Sequence, residues 1–92
     1  MISVRVKLLN KVGLHARPAA LFVQTAKKFK ANIIVINTKN SRKANAKSII
    51  EVLALGADYG DEIVINAEGP DEKIAITELL NLINKFKEED IA

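Results

Sequence analysis

Apolar and polar residues alternate from the first positions of the chain. Ile2, Val4, Val6 and Leu8 are separated by Ser3, Arg5 and Lys7, the period-two signature of a strand with one buried face and one wet face. After a turn at Asn10-Lys11-Val12-Gly13 the period changes. Ala19, Phe22, Val23, Ala26 and Phe29 recur at helical spacing, with Pro18 in the first turn, where a missing N–H costs nothing. Asn32-Ile33-Ile34-Val35-Ile36-Asn37 is short, β-branched and almost wholly apolar, and predicts a central strand. Thr38-Lys39-Asn40-Ser41 reads as a hairpin turn, and Arg42-Lys43-Ala44-Asn45 as a charged return strand suited to a sheet edge.

Ser48 and Glu51 have the spacing of a capping box ahead of an apolar run that Gly56 stops, so a short second helix is expected there. Gly60-Asp61 turns the chain into a fourth strand, Glu62 to Ala67. Gly69-Pro70-Asp71-Glu72 places proline and two acids at a helix start, and Ile76, Leu79, Leu80, Ile83 and Phe86 form the buried stripe of a long third helix. The order is β-α-β-β-α-β-α. Helices should cover one face of a sheet and leave the other in water, an α+β open sandwich.

Ninety-two residues, 49% of them hydrophobic, are enough for one compact domain spanning 1–92 and too few for two. The chain has no cysteine, which removes disulfides and thiolate metal sites and agrees with a cytoplasmic location. No metal or other cofactor is implied. No apolar run reaches the roughly 18 residues that span a bilayer, so no membrane insertion is expected. A formal charge of +3 favours acidic partners. Nucleic acid is a poor candidate: Lys27, Lys28 and Lys30 close the first helix, where cations suit the dipole. Phe22, Phe29 and Phe86 sit at core-facing helical positions and Tyr59 in a turn, leaving no aromatic platform for bases.

The chemistry gathers at the only histidine. His15 stands in Gly13-Leu14-His15-Ala16-Arg17-Pro18, where a strand gives way to a helix. The first N–H groups of a helix lack intrahelical partners and carry the positive dipole end, so a group there can hold an anion. The same field disfavours imidazolium and keeps a ring nitrogen nucleophilic. Arg17, two residues on, is close enough to bind a phosphoryl group carried by that ring. A lone histidine at a strand end is more often a cap or a filler; the helix start and Arg17 change that weighting. No Asp, Glu, Ser or Thr flanks His15, so the local sequence supplies neither a carboxylate to orient the ring nor a nucleophile for it to activate.

The second feature is exposed apolar surface. Arg17, Leu21, Gln24 and Lys28 fall opposite the buried stripe of the first helix. Ile49, Ile50, Val52, Leu53 and Leu55 cannot all face the sheet from one short helix, so some must face a partner. Ser48 works as an N-cap, and a phosphoserine there would lie at a helix N-terminus that tolerates its charge.

Gly13-Leu14-His15-Ala16-Arg17-Pro18-Ala19, followed by Asn45-Ala46-Lys47-Ser48-Ile49-Ile50, resembles the histidine-containing phosphocarrier (HPr) family of the bacterial sugar phosphotransferase system. The resemblance covers essentially the whole chain and implies an antiparallel sheet in the order 1-4-2-3 with three helices on one side. It implies that His15 accepts a phosphoryl group on Nδ1 from phosphorylated enzyme I and donates it to enzyme IIA, as a covalent intermediate in a relay and not as an enzyme. Arg17 would steady the phosphoryl group. Ala16, Arg17, Ala20, Leu21 and Gln24, with Ile49, Ile50 and Leu53, match the family's docking face. Ser48 matches the regulatory serine of the Gram-positive type, modified by an HPr kinase/phosphorylase so that a catabolite-control repressor is recruited. A rival within the family is a regulatory protein that acts mainly through Ser48. Two departures stand out: a slightly longer hairpin between the second and third strands, and Glu51 at a position often held by a small residue.

Overall fold

The computed structural model describes residues 1–89. Its elements are β1 (Ile2–Lys7), α1 (Ala16–Ala26), β2 (Asn32–Asn37), β3 (Arg42–Asn45), α2 (Ile49–Ala54), β4 (Glu62–Glu68) and α3 (Glu72–Glu89). The four strands form one sheet in the order β1-β4-β2-β3, every pair antiparallel. The register runs from Ile2 opposite Ala67 to Lys7 opposite Glu62, and from Asn32 opposite Glu68 to Asn37 opposite Ile63. β3 lies at an edge, as its charged sequence predicts.

Alternation decides which face the helices cover. Ile33 and Val35 of β2 and Ile63, Ile65 and Ala67 of β4 point to the helical side and are buried, together with Phe22, Val52, Leu79 and Phe86 from the helices. Burial of each large apolar side chain contributes about 1.5–3 kcal/mol before entropic costs. The opposite face carries no helix, but its centre is not polar. Ile34, Ile36 and Val64 meet there across β2 and β4 and are half-buried. Cross-strand polar pairs flank them, Ser3 Oγ donating to Asn66 Oδ1 at 2.6 Å and Arg5 Nη1 meeting Glu62 Oε1 at 2.7 Å.

The first helix is shorter than its apolar spacing predicts. It ends at Ala26, so Lys27, Lys28, Phe29 and Lys30 lie beyond it, and no basic residue occupies its last turn. The chain tightens there through N–H bonds from Lys28 to Thr25 O and from Phe29 to Ala26 O, which turn it toward β2 while Phe29 stays buried. Lys47 Nζ then donates to Phe29 O at 2.7 Å. The spacing of Phe29 therefore continues the helical pattern although its backbone does not.

Candidate functional site

A loop packed on a loop builds the site. Asn10 is buried in the turn after β1, its Nδ2 donating to Gly13 O at 3.0 Å while Gly13 N–H bonds Asn10 O at 3.2 Å. Gly13 has φ +61°, and a Cβ on it would fall 2.4 Å from Ala57 O and 2.7 Å from Asp58 Cα. Only glycine permits that approach. Leu14 then buries its side chain and donates its N–H to Ala57 O at 2.9 Å. Gly60 N–H bonds Leu8 O at 2.7 Å, and Leu8 N–H bonds Asp61 O at 2.8 Å. Together these contacts clamp residues 8–14 onto residues 57–61.

His15 emerges from this clamp as the N-cap residue of α1, with extended backbone (φ −126°, ψ 168°). Its side chain makes no capping hydrogen bond, and the first turn of α1 contains no acid. Ala16 has φ +52°, a left-handed conformation that costs a non-glycine residue about 1–2 kcal/mol. Backbone strain and an uncapped helix start thus coincide at the histidine. The ring is not isolated, however: His15 Nε2 lies 2.7 Å from Asp58 Oδ1. The local sequence offers no carboxylate to orient this ring, and the fold supplies one from 43 residues away.

Asp58 is itself held from behind. Its N–H donates to Asp61 Oδ2 at 2.8 Å, and Lys39 Nζ lies 3.0 Å from Asp61 Oδ2 and 3.7 Å from Asp58 Oδ2. The Asp58 backbone N–H, with the Lys39 ammonium, holds the Asp61 carboxyl below its ordinary pKa. Lys39 is raised in turn, first by its hydrogen bond to Asp61. Lys39 comes from the hairpin between β2 and β3, so that connection also reaches the site.

The other predicted site residues divide. Arg17 and Gln24 are exposed on α1, Ala16 is exposed, and Ala20 is half-buried. Leu21 is not fully outward; it is half-buried and packs against the edge of the core. α2 packs on α1 and resolves its excess of apolar residues by burying Val52 and Leu55 while exposing Ile49, Ile50 (78% accessible) and Leu53. Ser48 caps α2, its Oγ accepting the Glu51 N–H at 3.3 Å. The reciprocal half of the capping box is rerouted: Glu51 Oε1 accepts from Asn45 N–H at 3.0 Å, because Ser48 N–H already bonds Asn45 O. Glu51 is thereby tied back toward β3. Tyr59, beside Asp58, is 63% exposed and has no counterpart among the sequence-predicted site residues. Among the described residues, no helix is long and apolar enough to cross a membrane, and no cluster of His, Asp and Glu is arranged to hold a metal ion.

Comparison with known proteins gives a consistent picture. The family model described as the phosphotransferase-system HPr component phosphorylation site matches residues 2–85. The chain is 43% identical over 90 residues to the phosphocarrier protein HPr of Treponema pallidum, covering 97% of this chain and 100% of that protein. It is 40% identical over 79 residues to the HPr-like protein Crh of Bacillus subtilis, covering 86% of this chain and 91% of that one. Its backbone is similar to the crystal structure of HPr-C-His from Thermoanaerobacter tengcongensis, with a TM-score of 0.91, 46% identity, and coverage of 99% and 100% of the two chains.

Proposed function

This chain belongs to the HPr family of the phosphotransferase system, and from that premise we propose that it carries a phosphoryl group on His15 from phosphorylated enzyme I to enzyme IIA domains. Phosphoryl carriage is the family's general role. The observation that carries it is the state of the α1 start. His15 stands there uncapped, no acid competes in the first turn, and Arg17 follows on the exposed surface. Nε2 is engaged by Asp58, which leaves Nδ1 as the nitrogen for phosphorus. The open helix terminus and the Arg17 guanidinium complement the charge of the carried group.

A carrier must not hold its cargo tightly, since each 1.4 kcal/mol of added stabilisation costs about tenfold in transfer potential. A half-exposed ring at a helix end meets that requirement better than a closed pocket. Ala16, Arg17, Ala20 and Gln24 of α1, with Ile49, Ile50 and Leu53 of α2, form the docking face, and Leu21 supports it from its edge. Such a surface fits protein partners better than a concave small-molecule site would. In this role the protein is a covalent intermediate and not an enzyme, and it acts in the cytoplasm.

Ser48 is the regulatory site in this reading, modified by an HPr kinase/phosphorylase. A phosphoserine would add about −1.5 to −2 charges directly beside Ile49 and Ile50, opposing apolar docking and offering a new surface to a catabolite-control repressor. Likeness to the Bacillus subtilis protein Crh favours a second reading, a regulator that works mainly through Ser48.

Intact-mass measurement after incubation with phosphoenolpyruvate and enzyme I separates the two. The carrier reading expects one acid-labile phosphoryl group on the wild type and none on His15→Ala, which stays folded. A wild type that takes no label from an enzyme I active on another HPr would transfer the assignment to Ser48-centred regulation.

A further inference from the structure

We infer that Asp58 is a positioning residue for phosphoryl transfer: its carboxylate takes the Nε2–H of His15, so that the neutral ring keeps its lone pair on Nδ1. The inference rests on the carrier reading of His15. It is carried by the 2.7 Å contact between His15 Nε2 and Asp58 Oδ1 and by the way Asp58 is mounted. The turn at residues 58–61 closes through the backbone of Asp58, its N–H bonding Asp61 Oδ2 and its C=O accepting from Asp61 N–H. The Asp58 carboxylate is not needed for either bond. One of its oxygens faces the ring and the other lies 3.7 Å from Lys39 Nζ. Lys39 is anchored more closely on Asp61, at 3.0 Å, so it orients Asp58 without claiming it.

The chemistry of the step gives the carboxylate a purpose. The Nδ1 lone pair forms the new N–P bond while the donor's bond to phosphorus breaks and its electron pair leaves with the donor. No proton has to move, because Nε2 keeps its hydrogen throughout. The ring becomes cationic as it takes the phosphoryl group, and Asp58 already stands against the nitrogen that shares this charge. Donation to the next protein reverses the charge change, with the same carboxylate holding the ring for the return.

The test uses ¹⁵N spectra of the His15 imidazole at about pH 9, above the ordinary histidine range, together with single-turnover phosphoryl uptake from phosphorylated enzyme I. Wild type, Asp58→Ala and Asp58→Asn are compared. The expected result is a wild-type ring protonated at Nε2, a mixture of tautomers in Asp58→Ala, and uptake slowed about tenfold in that variant with an unchanged unfolding midpoint. Asp58→Asn still offers an acceptor oxygen, so it should keep the wild-type tautomer and recover part of the rate. Identical spectra and rates in wild type and Asp58→Ala would overturn the inference, as would slow uptake with unaltered tautomers, which would make Asp58 a docking contact. A wild type that accepts no phosphoryl group would instead overturn the carrier reading, and the spectra of the unphosphorylated proteins would still decide what Asp58 does to the ring.

Discussion

Helices α1 and α2 begin in opposite ways. At α2 the Ser48 hydroxyl caps the Glu51 N–H, and the Glu51 carboxylate turns back to the Asn45 N–H. The acids at the start of α3 tie it to neighbouring segments: Glu72 Oε1 accepts from Gly69 N–H at 3.1 Å, and the two Asp71 oxygens accept from Lys30 and Ala31 N–H, each at 2.8 Å. α1 has neither cap nor acid, and its backbone is strained at Ala16. A side-chain cap satisfies a first-turn N–H that otherwise lacks an intrahelical partner. Of α1 and α2, the start left open is the one that follows the histidine, where, on the carrier reading, an incoming phosphoryl group would supply the missing acceptors.

Changes at each start sharpen that contrast. The largest effect is expected at the strained position, where Ala16→Val puts a β-branched residue at φ +52° and should lower stability by about 1–2 kcal/mol in urea unfolding. Unchanged stability would mean that the backbone relaxes at no cost and that α1 is not strained in any useful sense. Ser48→Ala should cost about 1 kcal/mol by loss of a working cap, measured in the same way; a value near zero would erase the difference between the two starts.

The smallest effect should appear only in acid. The Lys30 backbone N–H, followed by that of Ala31, holds the Asp71 carboxyl below its ordinary pKa. A native pKa below the unfolded one means that Asp71 contributes stability above the unfolded value of about 3.9 and loses it as pH falls through the lowered native value. Asp71→Asn should therefore flatten the acid limb of the stability curve, seen in unfolding midpoints from about pH 6 to pH 2. An acid limb as steep as that of the wild type would show that the anchor of α3 does not depend on this charge.

Sequence alone determined most of the architecture, because the periodic, β-branched and capping patterns that mark its elements are local. The alternation in β1, the β-branched run of β2 and the stripe of Ile76, Leu79, Ile83 and Phe86 needed no tertiary information. The placement of His15, Arg17 and Ser48 was legible for the same reason, since each sits at or beside a helix start that capping residues and proline mark. Tertiary structure decided what depends on distant segments. The premature end of α1 at Ala26 reflects the turn into β2, which overrides the spacing of Phe29. The division of α2 into buried Val52 and Leu55 and exposed Ile49, Ile50 and Leu53 follows from its packing on α1. Above all, the Asp58 partner of His15 arises from Gly13 pressing against Ala57 and Asp58. No local pattern encodes that pairing, because the spacing between the two residues is set by chain closure and not by the period of either element.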